Sequence, residues 1–170
     1  MKKIALLLIA GFIFFSCGKE KKEVEETKTV KESLKTSLIL DAVYIKDDTI
    51  KVFYKQDNFF NYDNPTVVQI KGSDSIQRIV IDMPMDVAVE NFSIVASTNK
   101  DQKTLVVKNI SVQENDVIVF DGSDYKHTEY FLSDESFSWD EENQRCNLTH
   151  TNKYPPGIVG SEKLEMLLVK

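Results

Sequence analysis

The chain has 170 residues, of which 42% are hydrophobic, and it carries 21 Lys and Arg against 27 Asp and Glu. This length suits one ordinary domain with a short additional segment, and it is too short for most two-domain enzymes. The net charge of −6 argues against a protein whose main partner is nucleic acid, because neutralising phosphates requires a basic surface. Two cysteines are too few for a disulfide-rich scaffold or a multi-cysteine zinc site.

The first residues have the pattern of a secretory signal peptide. Lys2 and Lys3 precede Ile4–Phe15, which holds eleven apolar residues and one glycine, and Ser16 follows. A basic start, an apolar run of about 7–15 residues and a small residue before the cut are typical of such a signal. The run is shorter than the roughly 20 residues that a membrane-spanning helix needs. We therefore expect residues 1–16 to be a cleaved signal peptide.

Cys17 directly follows Ser16. This arrangement resembles the bacterial lipoprotein signal, the lipobox, in which the peptide is cut before the cysteine and that cysteine is acylated. Phe14 and Phe15 depart from the commoner Leu-Ala/Ser-Gly/Ala pattern. The resemblance implies a chain anchored in a lipid membrane through acylated Cys17, and Gly18 rather than Asp after the cysteine implies the outer membrane. Which face of that membrane it occupies stays open. The alternative is an ordinary signal peptide with an incidental cysteine.

Residues 17–37 have the composition of a flexible linker. After the cysteine, residues 18–37 contain three apolar side chains against six Lys and five Glu. Such a segment cannot bury enough apolar surface to offset the entropy of ordering it. We expect a mobile charged tether that separates a folded domain from the membrane.

Residues 38–170 are expected to fold as one antiparallel β-sandwich of about eight strands, jelly-roll or immunoglobulin-like. Their apolar runs are short, rich in β-branched residues and separated by turn residues. The predicted strands are Leu38–Ile45, Ile50–Tyr54, Thr66–Ile70, Ile76–Asp82, Phe92–Ala96, Thr104–Val112, Val117–Phe120 and Leu164–Val169. No segment predicts an amphipathic helix of ten residues, although residues 123–133 suit one or two helical turns.

The domain contains several short motifs, namely Asp47-Asp48 with Val52-Phe53-Tyr54, then residues 68–73, residues 77–84, and residues 98–102 with Leu105-Val106-Val107. These motifs resemble a recurrent, uncharacterised β-sandwich domain of Bacteroidota envelope lipoproteins. The similarity spans most of residues 41–160. Where relatives tend to have Arg-x-Asp before the Asn turn, this chain reads Ser93-Ile94-Val95-Ala96-Ser97. The resemblance implies the fold and an envelope location, but no reaction.

Two polar loops carry aromatic residues that suit a binding site. Phe59 and Tyr62 lie in the first loop and Trp139 lies in the second. Sugar rings present apolar C–H faces that stack on aromatic rings, and loops on a rigid β scaffold often hold such sites. We therefore predict these three residues as ligand-binding, with a glycan as the first candidate. The alternative is that Phe59, Phe60 and Phe137 fill the ends of the sandwich as part of the core, with Tyr62 and Trp139 the rings expected to be exposed.

Other chemistry finds less support in the sequence. Asp121 and Asp124 are the candidate ligands for calcium, but the twelve-residue calcium loop is missing and Asp-Gly is first of all a turn. The two histidines, His127 and His150, lack a companion at metal-ligand spacing, so we predict structural roles for them. Cys146 is the lone thiol once Cys17 is acylated. We expect no resident metal and no cofactor.

The sequence contains no motif that predicts catalysis. A Gly-x-Ser-x-Gly elbow, a Gly-rich phosphate loop and a His-Glu-x-x-His pair are all missing. Residues 38–170 carry 22 acidic against 13 basic side chains, which is typical of a solvated surface. We therefore expect a non-catalytic binding or adaptor module with no catalytic residues. The alternatives are a structural envelope protein that docks on a protein partner and, third, an enzyme that acts on polysaccharide.

Overall fold

The computed structural model describes residues 33–150 and 153–169. The predicted signal peptide, Cys17 and all but the last five residues of the predicted linker lie outside the described residues. Thr36 and Ser37, which the sequence assigned to the linker, are buried at the start of the first strand. The carbonyl of Thr36 accepts a hydrogen bond from the Met83 N–H at 2.9 Å, and the Ser37 hydroxyl donates to Asp82 at 2.6 Å.

Twelve strands and two short helices form the described part of the chain. In chain order they are β1 (Thr36–Val43), β2 (Asp48–Gln56), β3 (Phe59–Phe60), β4 (Thr66–Ile70), β5 (Gln77–Asp82), β6 (Asn91–Val95), β7 (Thr104–Glu114), β8 (Val117–Asp121), α1 (His127–Tyr130), β9 (Phe131–Ser133), β10 (Phe137–Asp140), β11 (Arg145–Leu148), β12 (Gly157–Gly160) and α2 (Glu162–Leu168). Within these residues, neither helix has the length and apolar character needed to cross a membrane.

The strands pair in two six-stranded sheets, and every pair is antiparallel. Sheet A has the order β10-β11-β7-β1-β5, with β8 beside the second half of β7. Sheet B has the order β3-β2-β6-β12-β9, with β4 beside the first half of β2. The expected all-β class is confirmed, and the two sheets are consistent with a β-sandwich.

The core lies between the inward faces of the two sheets, and strand alternation decides which residues reach it. In β2, Ile50, Val52 and Tyr54 are buried in the core, whereas Lys51 and Phe53 alternate with them on the other face. Burying one such side chain contributes about 1.5–3 kcal/mol relative to leaving it exposed. The inward residues of sheet B therefore hold the outward ones in fixed positions.

The expected number of about eight strands is corrected to twelve. Seven of the predicted runs overlap observed strands, but the eighth, Leu164–Val169, overlaps the helix α2. Leu164 and Leu168 are four residues apart and buried, whereas Met166 and Leu167 between them are exposed, which is the spacing of a helix face. The strands that the sequence missed, β3 and β9 to β12, have two to four residues and are too short to show a period. The helical turn predicted within residues 123–133 is confirmed as α1.

Candidate functional site

The outer face of sheet B carries an open groove of about 690 Å³. Its floor is formed by outward side chains of neighbouring strands, Phe53 from β2, Ser93 and Val95 from β6, and Val159 from β12. The register brings them together, because Phe53 pairs with Ser93 and Ser93 pairs with Val159. A floor built on paired strands is more rigid than one built on loops.

Tyr62, which follows β3, forms one wall of the groove. Its ring centroid is 5.2 Å from that of Phe53, with the rings tilted by 56°, and 5.6 Å from that of Phe60, with the rings stacked at 27°. The Asn61 N–H donates a hydrogen bond to the Tyr54 carbonyl at 3.0 Å and holds this segment against β2. Tyr62 is nevertheless 60% exposed, so its ring is supported by two others and still open to a ligand.

Polar side chains form the opposite wall. An Asp134 carboxylate oxygen accepts a hydrogen bond from the Ser136 N–H at 2.8 Å, and the other lies 3.6 Å from the Lys153 ammonium. The Tyr154 hydroxyl donates to the Thr98 carbonyl at 2.6 Å, which fixes the ring at the groove's edge. This wall therefore offers both a charged acceptor and a charged donor to a ligand in the groove.

A glycine keeps the space between floor and polar wall open. Gly157 pairs with Val95, and a Cβ added to it would lie 3.0 Å from the Ile94 carbonyl oxygen and 3.7 Å from an Asp134 carboxylate oxygen. A larger side chain at this position would therefore narrow the groove in front of Asp134.

The groove residues are suited to binding. Among the described residues, Asp134 is the one carboxylate that lines the groove, and it is paired with Lys153. A glycosidase uses two carboxyl groups about 5–9.5 Å apart across the scissile bond. The groove instead combines an aromatic wall, a largely apolar floor and one ion pair, which can stack on a ligand and hydrogen-bond to it.

The structure does not bring the three aromatic residues predicted from the sequence together. Tyr62 lines the groove, whereas Phe59 is 77% exposed at the start of β3 and is not among the lining residues. Trp139 belongs to β10 at the edge of sheet A, where it pairs with Cys146 and lines a separate depression of about 210 Å³ with Arg145. Its half-buried ring packs with centroids 5.2 Å from Phe137 and 4.7 Å from His127.

His127 supports Trp139 from within the protein. His127 is fully buried, its Nδ1 lies 2.9 Å from the Gly122 carbonyl oxygen, and burial lowers the pKa of its imidazole. In the described part of the chain, neither its Nε2 nor the Trp139 Nε1 has a hydrogen-bond partner, although both atoms are buried. The environment therefore favours a neutral imidazole that acts as part of the core.

The calcium candidates form a turn. Asp121 accepts hydrogen bonds at 3.1 Å from the Ser123 N–H, the Ser123 hydroxyl and the Asn109 side-chain amide. These bonds, chiefly the one from the Ser123 backbone, lower the pKa of Asp121. Asp124 has a positive φ of 53° within the same turn. Over residues 33–150 and 153–169, no group of three or more His, Cys, Asp or Glu side chains is arranged to hold a metal ion.

Cys146 is placed where a thiol is unreactive. It is fully buried in the core, and this burial raises the pKa of the thiol well above its usual range. The thiolate, which is the nucleophilic form, is therefore disfavoured.

Sequence reasoning missed four residues that shape the groove, namely Phe53, Asp134, Lys153 and Gly157. Phe53 could have been found, because Val52 and Tyr54 on either side of it lie on the buried face of β2. Strand alternation then places Phe53 on the outward face. Asp134 and Lys153 carried no local signal, since they meet only after β9 and β12 pair.

No protein-family model, curated protein or solved structure matches the chain. The lipoprotein signal and the resemblance to a Bacteroidota envelope domain therefore stay predictions.

Proposed function

We propose that the protein is an envelope lipoprotein whose β domain is a non-catalytic glycan-binding module, and that the groove on sheet B is its binding surface. The observation that carries this proposal is Tyr62, an exposed ring supported by Phe53 and Phe60. It lies in the same groove as the Asp134–Lys153 pair.

The proposal follows from the chemistry of sugars. A sugar ring has an apolar C–H face, which stacks on an aromatic ring, and hydroxyl groups, which need donors and acceptors. Tyr62 supplies the aromatic ring, while Asp134 and Lys153 supply a charged acceptor and a charged donor. Charge-assisted hydrogen bonds of this kind are stronger than neutral ones.

A protein partner is the second candidate for the same face. Val95, Val159 and Leu132 give the groove an apolar strip, and Leu132 is 53% exposed. Contiguous exposed apolar surface commonly marks a protein-interaction site. In this case the domain would be a structural or adaptor protein that docks through the outer face of sheet B.

Affinity gel electrophoresis of the full chain against a panel of polysaccharides tests the glycan proposal. We expect at least one polysaccharide to retard the native chain and Tyr62→Ala to weaken that binding roughly tenfold. Phe59→Ala is the matched control, because it removes an exposed aromatic ring that does not line the groove. Equal loss in both variants would contradict the groove as the glycan-binding site, and no retardation by any polysaccharide would favour the protein partner instead.

The anchoring part of the proposal places the chain in the outer membrane through acylated Cys17, on a face that the sequence leaves undecided. Each buried methylene of an acyl chain contributes about 0.8 kcal/mol, and durable attachment needs more than one chain. Metabolic labelling of producing cells with a palmitate analogue tests it. We expect labelled protein from the native sequence and none from Cys17→Ser, whereas equal labelling would contradict anchoring at this residue.

A further inference from the structure

One end of the domain, here called the entry end, holds both Leu34, just before β1, and Val169, just after α2. Leu34 and Lys35 lead into β1 there, where the Asp86 N–H donates to the Leu34 carbonyl at 2.8 Å and the Asn115 N–H donates to the Lys35 carbonyl at 2.9 Å. Val169, which follows α2, lines the same shallow cavity as Leu34. The entry end therefore combines the β5–β6 connection, the β7–β8 turn and the end of α2.

The β2–β3 hairpin also reaches this end. The Asn58 N–H at its tip donates a hydrogen bond to a Glu90 carboxylate oxygen at 2.9 Å, and Glu90 lines the same cavity as Leu34. Phe59, the next residue after Asn58, therefore lies at the entry end, where its side chain is 77% exposed, and it does not line the groove.

Large apolar side chains are concentrated at the entry end. Six of them have exposed fractions between 44% and 77%: Phe59, Met85, Val117, Met166, Leu167 and Val169. At the opposite end, where β1 finishes and β5 begins, Ile45 and Ile76 are exposed. Several exposed apolar side chains around one end of a small domain mark a contact surface.

We propose that the entry end contacts the surface of a zwitterionic lipid bilayer. This inference rests on the proposed anchoring at Cys17. Sixteen residues separate Cys17 from Leu34, and such a segment spans at most about 55 Å even if fully extended. The entry end is the part of the domain joined directly to that segment, so it is the end that the tether holds nearest to the anchor. Apolar side chains bind at the boundary between headgroups and acyl chains.

The acidic residues of the entry end favour zwitterionic over anionic lipid. The entry end also carries the acidic residues Asp57, Asp86, Glu90 and Asp116, of which Asp57, Asp86 and Asp116 lie in exposed turns. Anionic headgroups would be repelled by these carboxylates, whereas zwitterionic headgroups are not. Phe59 then contacts the membrane, while the groove on sheet B stays uncovered for its ligand.

Site-directed spin labelling tests this contact. The lipidated full chain is purified from bacterial membranes, reconstituted in phosphatidylcholine vesicles, and labelled at Phe59→Cys or Met166→Cys. Ile45→Cys and Ile76→Cys at the opposite end are the matched controls, since all four positions are at least 59% exposed. Cys146 is fully buried and stays unlabelled. Each label is then tested for collision with oxygen, which concentrates in lipid, and with a water-soluble nickel chelate.

The proposal predicts that the labels at positions 59 and 166 collide more with oxygen and less with nickel than those at positions 45 and 76. Adding anionic lipid to the vesicles should reduce this difference. If all four labels on vesicle-bound protein are equally accessible to nickel, the contact is overturned while the anchoring stands. If the chain carries no lipid and does not stay with the vesicles, the anchoring is overturned and the contact with it. Glycan retention in gels is measured without vesicles, so it reports on the groove separately.

Discussion

The regions around Tyr62 and Trp139 have similar compositions but different structural roles. Both are short polar segments that contain aromatic residues. Tyr62 is 60% exposed in a groove on sheet B, whereas Trp139 packs against His127 and Phe137 at the edge of sheet A. The difference comes from long-range strand pairing, because β10 joins sheet A by pairing with β11, which pairs with β7. An aromatic residue in a polar loop therefore predicts a site only once its sheet neighbours are known.

Removing the Trp139 ring should have the largest effect on stability. Truncating a buried Trp to Ala costs about 3–5 kcal/mol, and for the half-buried Trp139 we expect a loss of about 2–3 kcal/mol for Trp139→Ala. Tyr62→Ala should cost less than about 1 kcal/mol, because its ring is mostly in solvent. Urea denaturation followed by circular dichroism measures both. Equal losses in the two variants would contradict the assignment of the rings to core and surface.

Lowering the pH should reduce the free energy of unfolding through His127, which packs against Trp139. Burial lowers the pKa of this imidazole, so below about pH 6.5 the unfolded chain binds a proton that the folded chain does not. The free energy of unfolding should therefore fall as pH drops from 7 to 5, by at most about 1.4 kcal/mol per pH unit for this group.

His127→Asn is the control for this pH effect, because it keeps a polar side chain but no group that titrates in this range. The stability difference between the native chain and the variant should shrink from pH 7 to pH 5. Asp140, whose pKa is lowered mainly by hydrogen bonds from Asn143, loses its contribution only at lower pH, as the pH falls through its folded pKa. Parallel curves for the two proteins over this range would show that His127 does not titrate as described.

The ion pair in the groove should matter least for stability. Asp134 and Lys153 are 3.6 Å apart, and the Lys153 side chain is 64% exposed. Exposed pairs of this kind contribute about 0–1 kcal/mol, so Lys153→Ala should change the free energy of unfolding by no more than about 0.5 kcal/mol. The same variant should weaken glycan retention, since it removes a charged donor. A large loss of stability without a change in retention would make this wall structural and not ligand-binding.

The sequence predicted the fold better than the site. Runs such as Thr66–Ile70 were found because their alternation or β-branched residues are local signals, and this run matches β4 at both ends. The final run was wrong because Leu164 and Leu168 follow helical spacing within a segment too short to show it clearly. In the site, Tyr62 was predicted from its composition, but Asp134 and Gly157 depend on the pairing of β9 and β12, which no local pattern encodes.

The most direct test of the groove is an NMR titration of the ¹⁵N-labelled full chain with an oligosaccharide cut from a polysaccharide that retards it. The chain has one tryptophan, so the Trp139 indole N–H gives a single reporter for the edge of sheet A. We predict that the amide signals of Ser93, Gly157 and Val159 shift with added oligosaccharide while the indole signal stays in place. Shifts of the indole signal with unchanged groove amides would contradict the assignment of ligand binding to sheet B.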